Sequence, residues 1–197
     1  MLSMSKRGSP ETPERPGSVR VIGGRWRGRR IVLPPDTTIR PTPDRIRETL
    51  FNWLTPVIGG MKCLDLFAGS GALGVEALSR GAAEVWFVER SEAVAAQLAD
   101  TLHLLDCESA KVITGDALRF LQKEQGRFDL VFLDPPFEGI DLANVCTLLE
   151  ANWLGAAAHI YLEMSSRTEL PELPANWSTV REKTAGQVRF ALAKRNL

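Results

Sequence analysis

From residue 61 onward, short apolar runs of strand length alternate with stretches whose apolar positions recur every three to four residues. The runs at 62–67, 84–89, 111–114 and 128–134 read as strands, and 71–79, 92–105 and 117–122 as the helices between them. Such alternation specifies βαβ units and a parallel sheet. After a helix near 142–151, a fifth strand is expected at 159–163, and 178–183 and 187–193 flank Ala185-Gly186 as a terminal antiparallel hairpin. Upstream, Val19-Arg-Val-Ile22 and Arg29-Arg-Ile-Val-Leu33 enclose the Gly-rich turn 23–28, which predicts a small hairpin. Pro41-Thr-Pro-Asp44 then punctuates the chain, and Ile46, Leu50, Phe51 and Leu54 predict a helix that Thr42 or Asp44 could cap.

Composition refines this outline. The 197 residues suit one ordinary domain with an appendage, and 44% hydrophobic content can fill its core. Residues 1–17 hold three prolines and few apolar side chains, so a disordered tail is expected there. The organisation that follows is tail 1–17, basic hairpin and helix 18–55, and main domain 56–197. The zero net charge hides a split: residues 1–48 carry eleven Lys/Arg against five Asp/Glu, and the rest carries thirteen against nineteen. A basic front end fits a polyanion. Cys63, Cys107 and Cys146 are too scattered for a disulfide framework or a metal site, which points to a reduced, cytoplasmic setting. No apolar run approaches the ~18 residues of a membrane span. A monomer that needs no membrane and no metal is expected.

The chemistry sits at strand ends. Asp65-Leu-Phe-Ala-Gly-Ser-Gly-Ala-Leu-Gly74 places G-x-G-x-x-G after a strand and at a helix start, a loop suited to a nucleoside cofactor. With Glu89 twenty residues past Gly69 it also matches a dinucleotide fingerprint, so a nicotinamide oxidoreductase is one alternative. Asp65 favours S-adenosylmethionine, since a carboxylate there can balance the ammonium and sulfonium. Candidate cofactor residues are Asp65, Phe67, Ala68, Gly69, Ser70, Gly71, Glu89, Arg90, Asp116 and Ala117. Glu89 would accept the ribose hydroxyls, and Asp116 would accept the adenine amine or cap the next helix.

Asp134-Pro135-Pro136-Phe137 follows the buried run Asp129-Leu-Val-Phe-Leu-Asp134, and its two prolines stiffen the turn. An exocyclic base amine is a poor nucleophile because its lone pair is delocalised. If Asp134 and the Pro135 carbonyl each accept one N–H, that lone pair localises toward the methyl group. Phe137 would stack on the flipped base. A parallel sheet ending in an antiparallel hairpin, with these two loops, is the outline of the class I, Rossmann-like methyltransferase fold.

The span from residue 19 to about 194 resembles the RsmD family of bacterial 16S rRNA guanine-N2 methyltransferases. The resemblance rests on Arg20-Val-Ile-Gly-Gly-Arg-Trp-Arg-Gly28, Arg40-Pro-Thr-Pro-Asp-Arg-Ile-Arg-Glu-Thr-Leu-Phe-Asn-Trp53, the glycine loop, the Asp-Pro-Pro-Phe turn and Glu182-Lys-Thr-Ala-Gly-Gln187. It implies transfer of one methyl group from S-adenosylmethionine to N2 of a single guanine in small-subunit rRNA, assembled or partly assembled. Without it, N6 of adenine in RNA or DNA stays open; an RNA-binding assembly factor with a degenerate site is a further alternative, against which the intact Asp65, Glu89 and Asp134 argue.

Arg25, Arg27, Arg29 and Arg30 around Trp26 fit phosphate contacts plus stacking on single-stranded or loop RNA, in a part of the chain separate from the cofactor loop. Arg40, Arg45 and Arg47 would border the active site or form helix-surface ion pairs. His103 and His159 have no partners at metal-ligand spacing, and Trp53, Trp86, Trp153 and Trp177 read as packing residues.

Overall fold

In a computed structural model of the chain, the described residues are 17–34, 41–123, 125–136 and 139–196. Of the expectations above, the tail at 1–16, Arg40 and Phe137 lie outside them. The chain opens with an antiparallel pair, β1 (Ser18–Arg20) and β2 (Arg30–Val32), followed by helix α1 (Asp44–Leu54). Then come β3 (Lys62–Asp65), α2 (Ala72–Ser79), β4 (Glu84–Glu89), α3 (Glu92–Leu104), β5 (Ala110–Thr114), α4 (Ala117–Lys123) and β6 (Phe128–Leu133). Helix α5 (Leu142–Asn152), β7 (Leu154–Ser165), β8 (Trp177–Ala185) and β9 (Val188–Arg195) complete it.

The large sheet has the order β5-β4-β3-β6-β7-β9-β8. Pairing is parallel from β5 to β7, while β9 runs antiparallel to both β7 and β8. A dinucleotide-binding sheet adds its last strand parallel at the edge; here β9 is inserted backwards, the class I methyltransferase arrangement. Strand β6 shows why both faces are covered: Leu130 and Phe132 join the core under α1, α2 and α3, and Val131 and Leu133 join the one under α4 and α5. Strand β7 is longer than the sequence predicts. The Gly-Ala-Ala-Ala stretch at 155–158 is a weak strand former, but Leu154 pairs with Phe128 and so extends the ladder.

The N-terminal hairpin is not a separate arm. Val19, Val21, Trp26 and Ile31 pack into the same core as α2 and β4. Glu76, wholly buried in α2, accepts the backbone N–H of Ile22 at 2.7 Å and of Gly23 at 2.8 Å. The amide of Arg25 donates to the carbonyl of Ser79 at 2.8 Å. Gly24 sits at φ 74°, and a Cβ there would strike that carbonyl. Neither Thr42 nor Asp44 caps α1: Pro43 takes the N-cap position without a side-chain bond, and Thr42 turns elsewhere.

Candidate active site

The carboxyl ends of β3, β4, β5, β6 and β7 share one edge of the sheet, and the candidate residues gather along it. Asp65 ends β3 at 2% exposure, with Oδ2 accepting the Gly74 N–H at 3.0 Å, which ties the strand to the first turns of α2. Gly71 has φ +75°, and a Cβ on it would collide with Leu98; one on Gly74 would collide with Phe87. These two glycines let the loop turn sharply and let α2 press on β4. Burial pushes the Asp65 carboxyl up to about 7, and the charges of Asp134 and Glu89 add to the rise.

Glu89 ends β4. Its Oε2 accepts the Gly69 N–H at 2.9 Å and its Oε1 accepts that of Ser91 at 2.8 Å, so one carboxylate spans the glycine loop and the start of α3. Each oxygen keeps a further lone pair for a ligand hydroxyl. Asp116 accepts the Arg119 N–H at 3.0 Å, the capping role, and stays exposed. Phe67 is half-buried, Ala68, Ser70 and Ala117 are buried, and Arg90 is exposed just beyond β4.

Beyond β6, Asp134 Oδ2 accepts the Thr42 hydroxyl at 2.9 Å across 92 residues of sequence. Pro135 is buried and Pro136 exposed. Burial raises the Asp134 carboxyl to about 6, and the Thr42 hydrogen bond opposes the rise. Beside it, Glu163 on β7 is 3% exposed and accepts the Tyr161 hydroxyl at 2.6 Å. Burial, then the charge of Asp134, raises Glu163 to about 8. A cavity of about 260 Å³ opens here, lined by Pro135, Pro136, Ile140, Glu163, Met164 and Thr168 among others.

Residues 19–194 match the family described as Conserved hypothetical protein 95. Ribosomal RNA small subunit methyltransferase D of Escherichia coli is 49% identical over 180 residues, 91% of each chain. The chain belongs to the RsmD family. The Haemophilus influenzae relative of the same name is 47% identical, over 92% of this chain and 96% of that one. The solved Escherichia coli protein yhhF superposes with a TM-score of 0.86 at 48% identity, over 92% of this chain and 99% of that one.

For an RsmD-family chain, two of the basic-end expectations need correction. Arg47 is wholly buried, bonded to the carbonyls of Thr42 and Arg20 and paired with Asp44 and Glu76, so it cannot touch RNA. Trp26 is 8% exposed and packed in the core, with the Arg25 guanidinium 4.0 Å above its ring. It offers no free face for stacking. The turn bearing the exposed Arg25, Arg27 and Arg29 docks on the last residue of α2, and Arg29 donates to the carbonyl of Leu104, the last residue of α3. Both helix ends lie at the amino edge of the sheet. That puts the turn about 12 Å or more, the length of α2, from the edge that carries Asp134.

Arg30 donates to Ser18 Oγ at 2.9 Å and remains exposed. It lines a groove with Arg20, Pro41, Thr42, Pro43 and Asp44, of which Thr42 bonds to Asp134. Arg45, also exposed, reaches Gly186 in the β8–β9 turn, 3.3 Å from where a Cβ would stand. Sequence reasoning missed Glu163 and the turn of Thr42 toward Asp134. The first was detectable: Glu163 closes an apolar strand run at the same edge as Asp65, Glu89 and Asp134. The second was not, because a Thr before a helix reads as a cap.

Proposed function

We propose that this chain transfers a methyl group from S-adenosylmethionine to the exocyclic N2 amine of one guanine in 16S rRNA of the small ribosomal subunit or its assembly intermediate. The observation that carries this reading is the meeting of the glycine loop and the Asp134-Pro135-Pro136 turn at one sheet edge, in a chain whose relatives bear the name small subunit rRNA methyltransferase D.

The residues present fit the cofactor. Gly71 and Gly74 set the sharp turn of the loop and the close approach of α2, Asp65 supplies a carboxyl at its base, and Glu89 offers unused lone pairs toward a diol. Asp116 stays exposed at the end of β5 to meet a base amine. When bound, S-adenosylmethionine supplies a methyl group made electrophilic by its sulfonium. The chain's own work is orientation. Asp134 and the Pro135 carbonyl accept the two amine protons and localise the nitrogen lone pair, and ionised Asp134 takes the proton that the nitrogen sheds as its new bond to carbon forms. Phosphate contacts are assigned to Arg20, Arg30 and Arg45, which border the reacting edge, rather than to the turn at 25–29.

The test is to incubate the chain with methyl-tritiated S-adenosylmethionine and small subunits lacking the modification, digest the rRNA to nucleosides and identify the labelled one. Label on N2-methylguanosine is expected; label on N6-methyladenosine would overturn the target, and no label would overturn the activity.

A further inference from the structure

We propose that Glu163 is a positioning residue for methyl transfer: it holds the single proton of a carboxyl pair with Asp134, so that Asp134 meets the target amine as the only anion there.

The geometry is specific. Asp134 leaves the end of β6, Glu163 lies near the end of the adjacent β7, and both face the segment before α1. Thr42 stands within reach of both carboxyls and has one hydroxyl proton, which it donates to Asp134 at 2.9 Å. Tyr161 donates to Glu163 Oε2 at 2.6 Å, which leaves Oε1 to carry a proton of its own. Phe190, opposite Glu163 on β9, brings no charge. Asp65, close enough for the Asp134 charge to raise it, brings no cation either. Among the described residues, no Lys, Arg or His forms an ion pair with either carboxyl.

Two adjacent carboxylates, Glu163 buried and Asp134 half-buried, cannot both ionise easily without a cation, so they share a proton over a range of pH. Both carboxyls are raised, but Glu163 is the more deeply buried and Thr42 gives its one hydroxyl proton to Asp134, which together put the shared proton on Glu163 near neutrality. Glu163 also lines the cavity beside Pro135 and Pro136, next to where the target base is placed above. A second anion at this point would repel Asp134 and pull it from the geometry that two N–H acceptors require.

The inference rests on the methyltransferase reading, and two measurements separate them. The first needs no substrate: carbon NMR of carboxyl-labelled protein, with Glu163→Gln and Asp134→Asn assigning the signals. Glu163 should titrate on the alkaline side of neutrality, and Asp134→Asn should lower its midpoint. A Glu163 midpoint in the ordinary carboxylate range of about 4 to 5, or one indifferent to Asp134→Asn, would overturn the pair. The second is the single-turnover methylation rate against pH. Wild type should lose rate about tenfold per pH unit above the Glu163 midpoint. Glu163→Gln, which keeps the shape and cannot ionise, should hold its rate there. Identical alkaline limbs in the two proteins would overturn the positioning role. If Glu163→Gln fails to fold, Tyr161→Phe tests the same point: losing the donor that favours ionised Glu163 should move the alkaline limb to higher pH, and an unmoved limb would overturn it. Wild type that titrates as described but methylates no rRNA would leave the carboxyl pair standing and remove the methyltransferase reading.

Discussion

Arg47 Nη1 and Glu76 Oε2 lie 3.6 Å apart, with both side chains entirely withdrawn from water. Glu76 also takes the two amides that begin the N-terminal turn, while Arg80 supplies a second cation at 2.7 Å. Removing Glu76 leaves buried Arg47 with only the half-exposed Asp44 as counter-ion and two amides without their acceptor, a loss of about 3–5 kcal/mol. Glu76→Ala should therefore lower the urea midpoint sharply. A change under about 1 kcal/mol would show that water reaches the cluster readily.

Asp134→Ala should keep cofactor affinity and reduce methyl transfer by several orders of magnitude, because the lost contact matters when the amine attacks. Calorimetry with S-adenosylmethionine and single-turnover rates check the two halves separately.

Glu89→Ala should weaken cofactor binding by about 1.5–3 kcal/mol, roughly 10- to 150-fold in Kd. The structure adds a second effect, since Glu89 also holds Gly69 and Ser91. Faster amide exchange across the glycine loop should accompany the weaker binding, and hydrogen-exchange measurements on the free protein would show it.

Asp65 makes stability depend on pH in a defined direction. Its folded carboxyl titrates near 7, against about 3.9 in the unfolded chain. Between those values the folded state keeps a proton that the unfolded state has released, so stability falls as pH rises through that window and stays low above it. Asp65→Asn removes this slope while leaving an oxygen for the Gly74 amide. Melting temperatures at pH 5 and pH 8 should differ less in the variant than in wild type, by an amount corresponding to a few kcal/mol.

Arg20, Arg30 and Arg45, replaced together by Ala, should flatten the plot of log RNA affinity against log salt by about 0.7–0.9 per lost phosphate contact. Replacing Arg25, Arg27 and Arg29 should leave the slope as it is, because they dock at the far edge of the sheet. The reverse result would place the RNA surface on the turn.

Most of the sheet was legible because parallel strands buried on both faces, such as 128–133, announce themselves as unbroken apolar runs. The strand-end acids Asp65, Glu89 and Asp134 were legible for a related reason, being polar residues where apolar runs stop. The basic N-terminus was legible only in part. Arg25, Arg27 and Arg29 around a tryptophan look alike in sequence wherever their turn docks, and only the partners Ser79 and Leu104, 54 and 75 residues away, place it against the ends of two helices. Arg47 was misread for the same cause, since its burial depends on Glu76 arriving from another helix.

The docking of residues 22–26 on Glu76 and Ser79 also sets an order of events during synthesis. The segment leaves the ribosome before its receiving helix, which lies 53 to 56 residues further along the chain. At about 5–20 residues per second that gap lasts roughly 3 to 11 seconds. During that wait the apolar Val19, Val21, Trp26 and Ile31 have no native partner beyond one another and the first helix. The nascent chain is most vulnerable to capture by chaperones or proteases in this interval, and slowing translation across 50–79 would lengthen it.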